Sequence, residues 1–321
     1  PMTLKEYLYT WLNEYRKNNV RKNTYNIDRR NIDNHILPYF QNIKLNDITP
    51  VMYQKFLNHL YEQNYKKRTI EIIHTTMNKA MKTAVRPLKK IENNPCEGAI
   101  IKGQDEDKVL KFIDSEQIPV FLKEAYKDGY IYWIFFKFLI YTGMRKGEAA
   151  ALQWNDIDLK NKTVNINKTL DFQPEDEDDL FGDTKTFNSP RTITISQEIV
   201  NDLQFHIKFQ NRNKIALNDI YRHDLNLVFC RNDGNFLPKS TLFNSFGRIL
   251  KRAKIKSLPI HSLRHTHAVL LLEAGADMKY IQERLGHGSM QITADVYAHV
   301  SKKLEQKNMN KFEEFMDKLN S

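Results

Sequence analysis

Arginine, histidine and tyrosine side chains recur in four short segments where they could act on an anionic substrate. The first segment is the run YTGMRKGEAAAL at residues 141–152. We expect Gly143 to end a buried helix in a tight turn, and Arg145 to stand at the start of the next helix, where backbone amides also point outward. An anion-binding site is one interpretation of Arg145, and an ordinary surface arginine is the other.

The second segment, HSLRHTH, begins at His261. His261 and Arg264 are three residues apart and share a helix face, so both could reach one phosphate. Metal binding is the alternative, because His261 and His265 are four residues apart. The zinc-protease pattern requires a glutamate directly after the first histidine, however, and Ser262 stands there. The sequence therefore favours an anion site over a metal site.

The third and fourth segments are Leu285-Gly-His287 and the run TADVYAH around Tyr297. The third predicts a helix end, a turn glycine and an exposed histidine. The fourth contains a tyrosine whose hydroxyl oxygen could serve as a nucleophile. Alone, the histidine would be structural and the tyrosine a packing residue. Their order along the chain, after the two arginines, is what makes them informative.

Together the four segments resemble those of the tyrosine recombinase family, the phage-type integrases and their relatives on mobile elements. The resemblance extends from about residue 113 to residue 299, and the N-terminal helical third also resembles this family's core-binding domain. The matching residues stand in the family's order and at its approximate spacing. They are Arg145, His261, Arg264, His287 and Tyr297.

The resemblance implies that Tyr297 attacks a DNA phosphodiester. Arg145 and Arg264 would bind the non-bridging oxygens, because guanidinium groups bind phosphate through paired hydrogen bonds and stay charged. His261 would accept the tyrosine proton or order the site, and His287 would donate a hydrogen bond to the scissile phosphate. No metal ion or other cofactor is expected, since two arginines supply the positive charge.

A lysine in a β-hairpin completes the catalytic set of the family. Lys185 is the candidate here, because Thr184-Lys185-Thr186 precedes a predicted strand as the family's K-T turn does. Lys168, on the preceding strand, is the second choice, and Arg191 is less favoured. This lysine would protonate the leaving 5′ oxygen.

Composition argues against several other classes of protein. The 321 residues are 41% hydrophobic and 27% charged, and no apolar run approaches the roughly 18 to 20 residues of a membrane span. The two cysteines, Cys96 and Cys230, stand far apart, which argues against a disulfide framework or a cysteine zinc site. No Walker or dinucleotide motif is visible. We expect a cytoplasmic, nucleoid-associated protein without a membrane partner.

The formal net charge of +10 lies almost wholly in the first third of the chain. Residues 1–104 contain 18 lysines and arginines against 9 acidic residues, whereas residues 105–321 contain 31 against 30. Two basic clusters in the first third are interpreted as contacts to DNA phosphates, with solvated helix faces as the alternative. The clusters are Arg21, Lys22, Arg29 and Arg30, and Lys66, Lys67, Arg68 and Lys79.

Hydrophobic periodicity predicts a mainly α fold with a small antiparallel β-sheet, an α+β class. One predicted helix covers residues 22–37 and is stopped by Pro38, and residues 162–170 and 191–196 alternate as strands do. Four units are predicted along the chain. They are a helical core-type DNA-binding domain over 1–102, a linker over 103–112, a catalytic domain over 113–300, and a C-terminal helix over 301–321 for subunit exchange or docking.

The resemblance implies a site-specific recombinase that integrates and excises a mobile element through a 3′-phosphotyrosine intermediate. Its expected partners are double-stranded DNA with core-type sites, three further copies in a tetramer, and an excisionase or accessory DNA-bending proteins. A Xer-type chromosome-dimer resolvase is the alternative, followed by a type IB topoisomerase and a non-catalytic DNA-binding regulator. Because the chain begins with Pro1, we also expect that an arm-binding domain could have been removed from its N-terminus.

Overall fold

The chain divides into two units, residues 1–108 and 109–321. The computed structural model describes residues 2–106, 109–182, 189–286 and 289–321, without the side chain of Lys302. Helices dominate both units, and the described part of the second contains one three-stranded antiparallel sheet. The predicted α+β fold class is therefore confirmed.

Five α-helices form the described part of the N-terminal unit. They are α1 (Leu4–Trp11), α2 (Lys22–Asn31), α3 (Leu37–Phe40), α4 (Pro50–Glu62) and α5 (Lys67–Val85). A capping box begins α1, in which the Thr3 hydroxyl accepts from the Glu6 amide at 3.2 Å and the Glu6 carboxylate accepts from the Thr3 amide at 2.8 Å. The apolar faces of these helices meet in one core around Trp11 and Phe56.

The path of α2 continues through a π-helical turn, Ile32–Ile36, directly into α3. The prediction that Pro38 stops the helix is therefore wrong. The π turn shifts the backbone hydrogen bonds, so Pro38 falls in the first turn of α3, where a missing amide hydrogen costs little. The helix ends instead at Gln41, whose φ of 52° lies in the left-handed region.

A buried polar network fixes α2 against α5. Asp28 accepts from Arg16 Nε at 2.8 Å and from the Thr76 hydroxyl at 2.8 Å. Asn31 Nδ2 donates to the same hydroxyl at 2.9 Å. Because each of these buried groups has a partner, the network favours one arrangement of the two helices. It thereby orients the exposed face of α2, where Arg29 and Arg30 lie.

Eight α-helices belong to the described part of the second unit. They are α6 (Ile118–Asp128), α7 (Tyr130–Thr142), α8 (Lys146–Ala150), α9 (Gln197–Leu217), α10 (Lys239–Arg252), α11 (Ser262–Glu273), α12 (Met278–Leu285) and α13 (Met290–Leu319). The main core of the unit surrounds α7, in which Phe135 and Phe136 are fully buried.

Lys137 is the charged exception in the apolar helix α7. Its side chain is 8% exposed, and its Nζ lies 2.9 Å from Glu198 and 2.8 Å from Asp202, both on α9. Burial acts to lower the pKa of Lys137, but hydrogen bonds to the two carboxylates raise it overall. A buried ammonium is tolerated here because it is paired, and it joins α7 to α9.

The sheet has the order β1-β2-β3, with β1 at Ile157–Asp158, β2 at Thr163–Ile166 and β3 at Arg191–Thr194. Both pairings are antiparallel, and Val164 stands opposite both Ile157 and Ile193. Strand β2 is shorter than the predicted strand over 162–170. It stops because the next two side chains, Asn167 and Lys168, turn toward Asp156.

Helix α13 is continuous from the segment with Tyr297 to Leu319, so the expected separate helix over 301–321 is the second half of one longer helix. The first half packs on α11 and α12 through Val296, Val300 and Leu304, all of them buried. Beyond Leu304 the apolar stripe is exposed. The exposed side chains are Met309, Phe312, Phe315, Met316 and Leu319.

Candidate active site

Gly143 forms the turn between α7 and α8 that positions Arg145. Its φ of +70° lies in the left-handed region, and a Cβ atom at this position would lie 2.5 Å from the His267 ring and 2.8 Å from the Leu285 side chain. Both the conformation and the close approach therefore require glycine. The chain then extends through Arg145, whose amide donates to Glu148 Oε1 at 2.9 Å, and enters α8.

Arg264 is almost wholly buried on α11, at 1% exposure. Its Nη1 donates to the carbonyl of Gly143 at 2.9 Å, and its Nη2 donates to the carbonyl of Leu285 at 2.5 Å. Burial, and then repulsion from Arg145, lowers the pKa of Arg264 to about 9, so the guanidinium remains charged at neutral pH. One arginine thus joins the Arg145 turn to the end of α12.

His261 immediately precedes α11, and its side chain is exposed. Partial desolvation, and then the charges of His265, Arg264, Arg145 and Lys146, lower its pKa below the ordinary value. The neutral imidazole is therefore favoured at neutral pH, and a neutral imidazole can accept a proton. The charges of Arg145 and Arg264 therefore act on the His261 imidazole.

Glu148 is a residue of this site that the sequence reasoning missed. Its carboxylate is 2% exposed and receives two hydrogen bonds from Arg191, at 2.8 Å and 3.1 Å. Arg145 Nη1 lies 3.6 Å from the same carboxylate. The spacing of three residues between Arg145 and Glu148 is that of a helix-capping pair, and this signal could have identified it.

Arg191, the least favoured substitute for the catalytic lysine, has a structural position. Beyond its paired hydrogen bonds to Glu148, its Nε donates to the carbonyl of Arg284 at 2.8 Å. Arg284 in turn donates from Nε to His267 at 3.0 Å and from Nη1 to the carbonyl of Thr194 at 2.6 Å. Arg191 and Arg284 therefore fasten the end of α12 to the sheet and to α11.

Replacing Glu148 with glutamine should destabilise the second unit by about 3–5 kcal/mol, because the buried Arg191 guanidinium loses its charged partner. Urea unfolding followed by circular dichroism measures the change. Glu198→Gln is the matched control, since Glu198 is 55% exposed and Lys137 keeps Asp202. The control substitution should lower the free energy of unfolding by less than about 1 kcal/mol. Equal stability of Glu148→Gln and the unmodified protein would contradict the role assigned to the pair.

Lys168 is already paired in this structure. Its Nζ lies 2.6 Å from Asp156 and 2.9 Å from the side-chain oxygen of Asn167, and both ionic side chains are nearly buried, at 11% and 6% exposure. This pairing joins the end of β2 to the segment before β1. The first candidate, Lys185, and the other predicted catalytic residue, His287, lie outside the described residues.

Tyr297 lies on α13 between residues that anchor the helix. Val296 and Val300 are 1% and 2% exposed, whereas the Tyr297 side chain is 45% exposed. The helix therefore holds the tyrosine firmly while its ring remains accessible to a large substrate. Accessibility of this kind is what attack on a DNA phosphate requires.

The predicted DNA-binding residues lie on the surface of the N-terminal unit. Arg21, Lys22, Arg29 and Arg30 are all exposed on or beside α2. At the start of α5 the second cluster is partly engaged with acidic residues that follow the helical region. Lys66 Nζ lies 2.8 Å from Glu106, and Lys67 Nζ lies 3.0 Å from Asp105. Arg68 pairs with Glu71 at 3.2 Å, and Lys79 is exposed.

Within the described ranges, no group of three histidine, cysteine, aspartate or glutamate side chains is arranged to hold a metal ion. None of the helices in these ranges combines the length and the apolar character needed to cross a bilayer.

Comparison with known proteins places the chain among recombinases. The phage integrase family model matches residues 111–303, and the model of the phage integrase N-terminal SAM-like domain matches residues 3–71. A tyrosine recombinase XerC-like protein of Caldanaerobacter subterraneus is 29% identical, over 93% of this chain and 80% of that protein. The ICEBs1 integrase of Bacillus subtilis is 27% identical, over 93% and 78%.

Two further comparisons agree. The integrase of Staphylococcus phage L54a is 30% identical, over 86% of this chain and 82% of the phage protein. The fold matches a solved structure of the Tn1549 transposon integrase in complex with transposon right end DNA, with a TM-score of 0.76, 21% identity, and 97% and 99% of the two chains covered. The chain therefore belongs to the phage integrase family of tyrosine recombinases.

Proposed function

We propose that this protein is a site-specific DNA recombinase that integrates and excises a mobile element through a covalent 3′-phosphotyrosine intermediate. The observation that supports this most directly is the arrangement of Arg145, His261 and Arg264 around one turn, in a family member whose α13 presents an accessible Tyr297.

The geometry suggests how the two arginines act. Transfer of the phosphate to tyrosine passes through a state with extra negative charge on the non-bridging oxygens. The Arg264 guanidinium is held by two backbone carbonyls, and Arg145 Nη1 lies 3.6 Å from the Glu148 carboxylate. We infer that these two guanidinium groups stabilise the charge as it develops.

Proton transfers accompany the exchange of bonds. The Tyr297 oxygen forms a bond to phosphorus while the bond from phosphorus to the 5′ oxygen breaks. His261, favoured as the neutral imidazole, accepts the phenolic proton or orders the site. Lys185 is proposed to protonate the leaving 5′ oxygen and His287 to donate a hydrogen bond to the phosphate, as the family resemblance implies. Attack by another strand's 5′-hydroxyl on the phosphotyrosine reverses these steps and reseals the DNA.

A nicked suicide substrate tests this proposal. The nick lets a short 5′-hydroxyl fragment diffuse away after cleavage, so the covalent intermediate accumulates. We expect a protein–DNA adduct on denaturing gels, and mass spectrometry of the digested adduct should assign the bond to the peptide with Tyr297. Attachment at a different residue, or no adduct on DNA that the protein binds, would refute the proposed mechanism.

A Xer-type resolvase remains the second candidate, because a XerC-like protein is among the similar proteins at an identity close to those of the integrases. The two functions differ in their DNA products. Sequencing recombination junctions in cells separates them. An integrase joins an element to a chromosomal attachment site, whereas a resolvase acts between two copies of one chromosomal site.

The N-terminal unit is proposed to bind core-type DNA sites through the eight basic residues of its two clusters. Phosphate contacts of this kind release counterions and make binding strongly dependent on salt. Recombination further needs a tetramer on two DNA sites, and an excisionase or DNA-bending protein is proposed to control its direction. Such an enzyme acts on the nucleoid in the cytoplasm.

The exposed half of α13 is proposed to pack on a neighbouring subunit of that tetramer. Phe312→Ser with Phe315→Ser should weaken the synaptic complex about tenfold or more, because two apolar side chains that are 56% and 60% exposed here would lose their burial in the complex. These substitutions spare Leu304, which belongs to the core of the unit. A gel-shift assay with two DNA sites measures the complex.

Lys318→Ser, an exposed change on the same helix, is the control for that double variant. It should leave the synaptic complex unchanged. If the double variant also assembles as the unmodified protein does, the exposed stripe does not mediate subunit contact.

A further inference from the structure

An exposed aromatic ring flanked by two lysines lies near the catalytic residues. Phe243, on α10, is 42% exposed. Lys146 Nζ, from the start of α8, lies 5.2 Å from the centre of its ring, and Lys239 Nζ, from the start of α10, lies 5.6 Å from it. Two ammonium groups from separate helices therefore meet at one ring on the surface of the domain.

Two arginines of α10 differ from these lysines, because they have a carboxylate partner. Near the C-terminal end of α10, Arg248 and Arg252 lie 2.9 Å and 3.1 Å from Asp128, so both guanidinium groups are paired with this one carboxylate. Lys146 and Lys239 form no salt bridge with a carboxylate of the described residues, and both ammonium groups lie over the Phe243 ring. Residues 239–256 contain six lysines and arginines and no acidic residue, within a unit that is nearly neutral overall.

The cluster stands close to the site of phosphate chemistry. Lys146 directly follows Arg145, and its charge is one of those that lower the pKa of His261. Burial, and then the charge of Lys239, lowers the pKa of Lys146 itself. Two like charges that repel each other beside an anion site gain most from an anion bound between them. The exposed ring adds an apolar surface suited to a deoxyribose or base.

We propose that Lys146, Lys239 and Phe243 form a subsite that binds a backbone phosphate of the DNA strand next to the scissile phosphate. The inference rests on the proposed recombinase function, which supplies the strand. Arg145 and Arg264 hold the scissile phosphate, and the subsite fixes the neighbouring one, so the strand is held at two points and the reacting phosphorus is aligned with Tyr297.

Salt dependence of duplex binding gives the first test. The logarithm of the affinity falls with the logarithm of salt concentration, by a slope of about 0.9 for each phosphate that is neutralised. We expect Lys146→Gln with Lys239→Gln to reduce the slope of the unmodified protein by about 1, because the two lysines neutralise one phosphate. Lys123→Gln, an exposed lysine of α6 without a recorded carboxylate partner, should leave the slope unchanged. An unchanged slope in the double variant overturns the proposal.

Single neutral phosphates give the second test and identify the position. A set of suicide substrates would each contain one methylphosphonate near the scissile phosphate. For the unmodified protein, one position should slow cleavage by about tenfold or more. At that position, the methylphosphonate should not slow cleavage by the Lys146→Gln, Lys239→Gln variant any further. At other positions, the reduction in cleavage rate caused by the methylphosphonate and the reduction caused by the two substitutions should multiply. If the two reductions in cleavage rate multiply at every position, the proposal is overturned.

A conservative variant separates a contact from a folding effect. Lys146→Arg with Lys239→Arg keeps both charges and should retain the slope and the position-specific coupling. If this variant loses both the salt slope and the position-specific coupling although its thermal unfolding is unchanged, the phosphate assignment is overturned. Failure of the recombinase proposal can be distinguished from failure of the subsite proposal. The first appears as the absence of the Tyr297 adduct in the unmodified protein, whereas the salt slope can be measured from duplex binding without any cleavage.

Discussion

Replacing Tyr297 with phenylalanine is expected to abolish covalent DNA cleavage while leaving duplex binding intact. The substitution removes a single oxygen, which is the proposed nucleophile, and retains the ring on α13. The Tyr297 side chain is 45% exposed, and its hydroxyl forms no hydrogen bond within the described residues, so its loss should change the free energy of unfolding by less than about 0.5 kcal/mol. The rate of adduct formation should fall by on the order of 10⁵-fold or more, since an enzyme without its nucleophile retains only binding.

Adduct formation on the nicked substrate, measured beside fluorescence anisotropy with intact DNA, separates chemistry from binding. Tyr126→Phe is the matched control, because Tyr126 is 62% exposed on α6 of the same unit. It should form adduct at the unmodified rate. An adduct that persists in Tyr297→Phe would assign the nucleophile to another residue.

Arg264→Lys is expected to lower the rate of covalent cleavage by on the order of 10³-fold. Lysine keeps the positive charge but lacks the planar fork of arginine, so it cannot donate to Gly143 and Leu285 while also facing a phosphate. One of these carbonyls should lose its partner, at a cost of about 1–3 kcal/mol in stability. Single-turnover cleavage, measured at a temperature where the variant is folded, gives the rate.

The control for this substitution is Arg248→Lys on α10. Asp128 there also accepts hydrogen bonds from Arg252 and Ser245, so one weakened contact leaves the carboxylate satisfied. Cleavage by Arg248→Lys should match that of the unmodified protein. If Arg264→Lys cleaves within about tenfold of that rate, positive charge alone is sufficient and the geometry of the guanidinium is not essential.

Local spacing accounts for what could be predicted about the catalytic residues. His261 and Arg264 are three residues apart, and the structure places His261 directly before α11 and Arg264 in its first turn. Gly143 was predicted at the turn before Arg145 because a sharp helix-to-helix turn favours glycine, and its φ of +70° agrees. The assignments of Lys185 and His287 stay predictions.

Long-range pairing accounts for what was missed. Glu148 and Arg191 are 43 residues apart, and nothing in either local sequence indicates that they meet. Similarly, Lys168 alternates correctly for a strand, yet Asp156, twelve residues earlier, holds its ammonium and the strand ends before it. The prediction that Pro38 ends the helix was also wrong, because the π-helical turn before it places the proline where its missing amide hydrogen is tolerated.

The family, the fold class and the types and order of the residues proposed for catalysis can be predicted from the sequence, because they depend on residue identity and on spacing over a few residues. The arrangement of their charges, in contrast, follows from the tertiary structure. It buried Arg264 between two carbonyls, paired Arg191 with Glu148, and brought Lys146 beside Lys239 at one exposed ring. Burial and charge pairing depend on how helices from distant segments of the chain pack together, whereas a motif contains only residues that are close to one another in sequence.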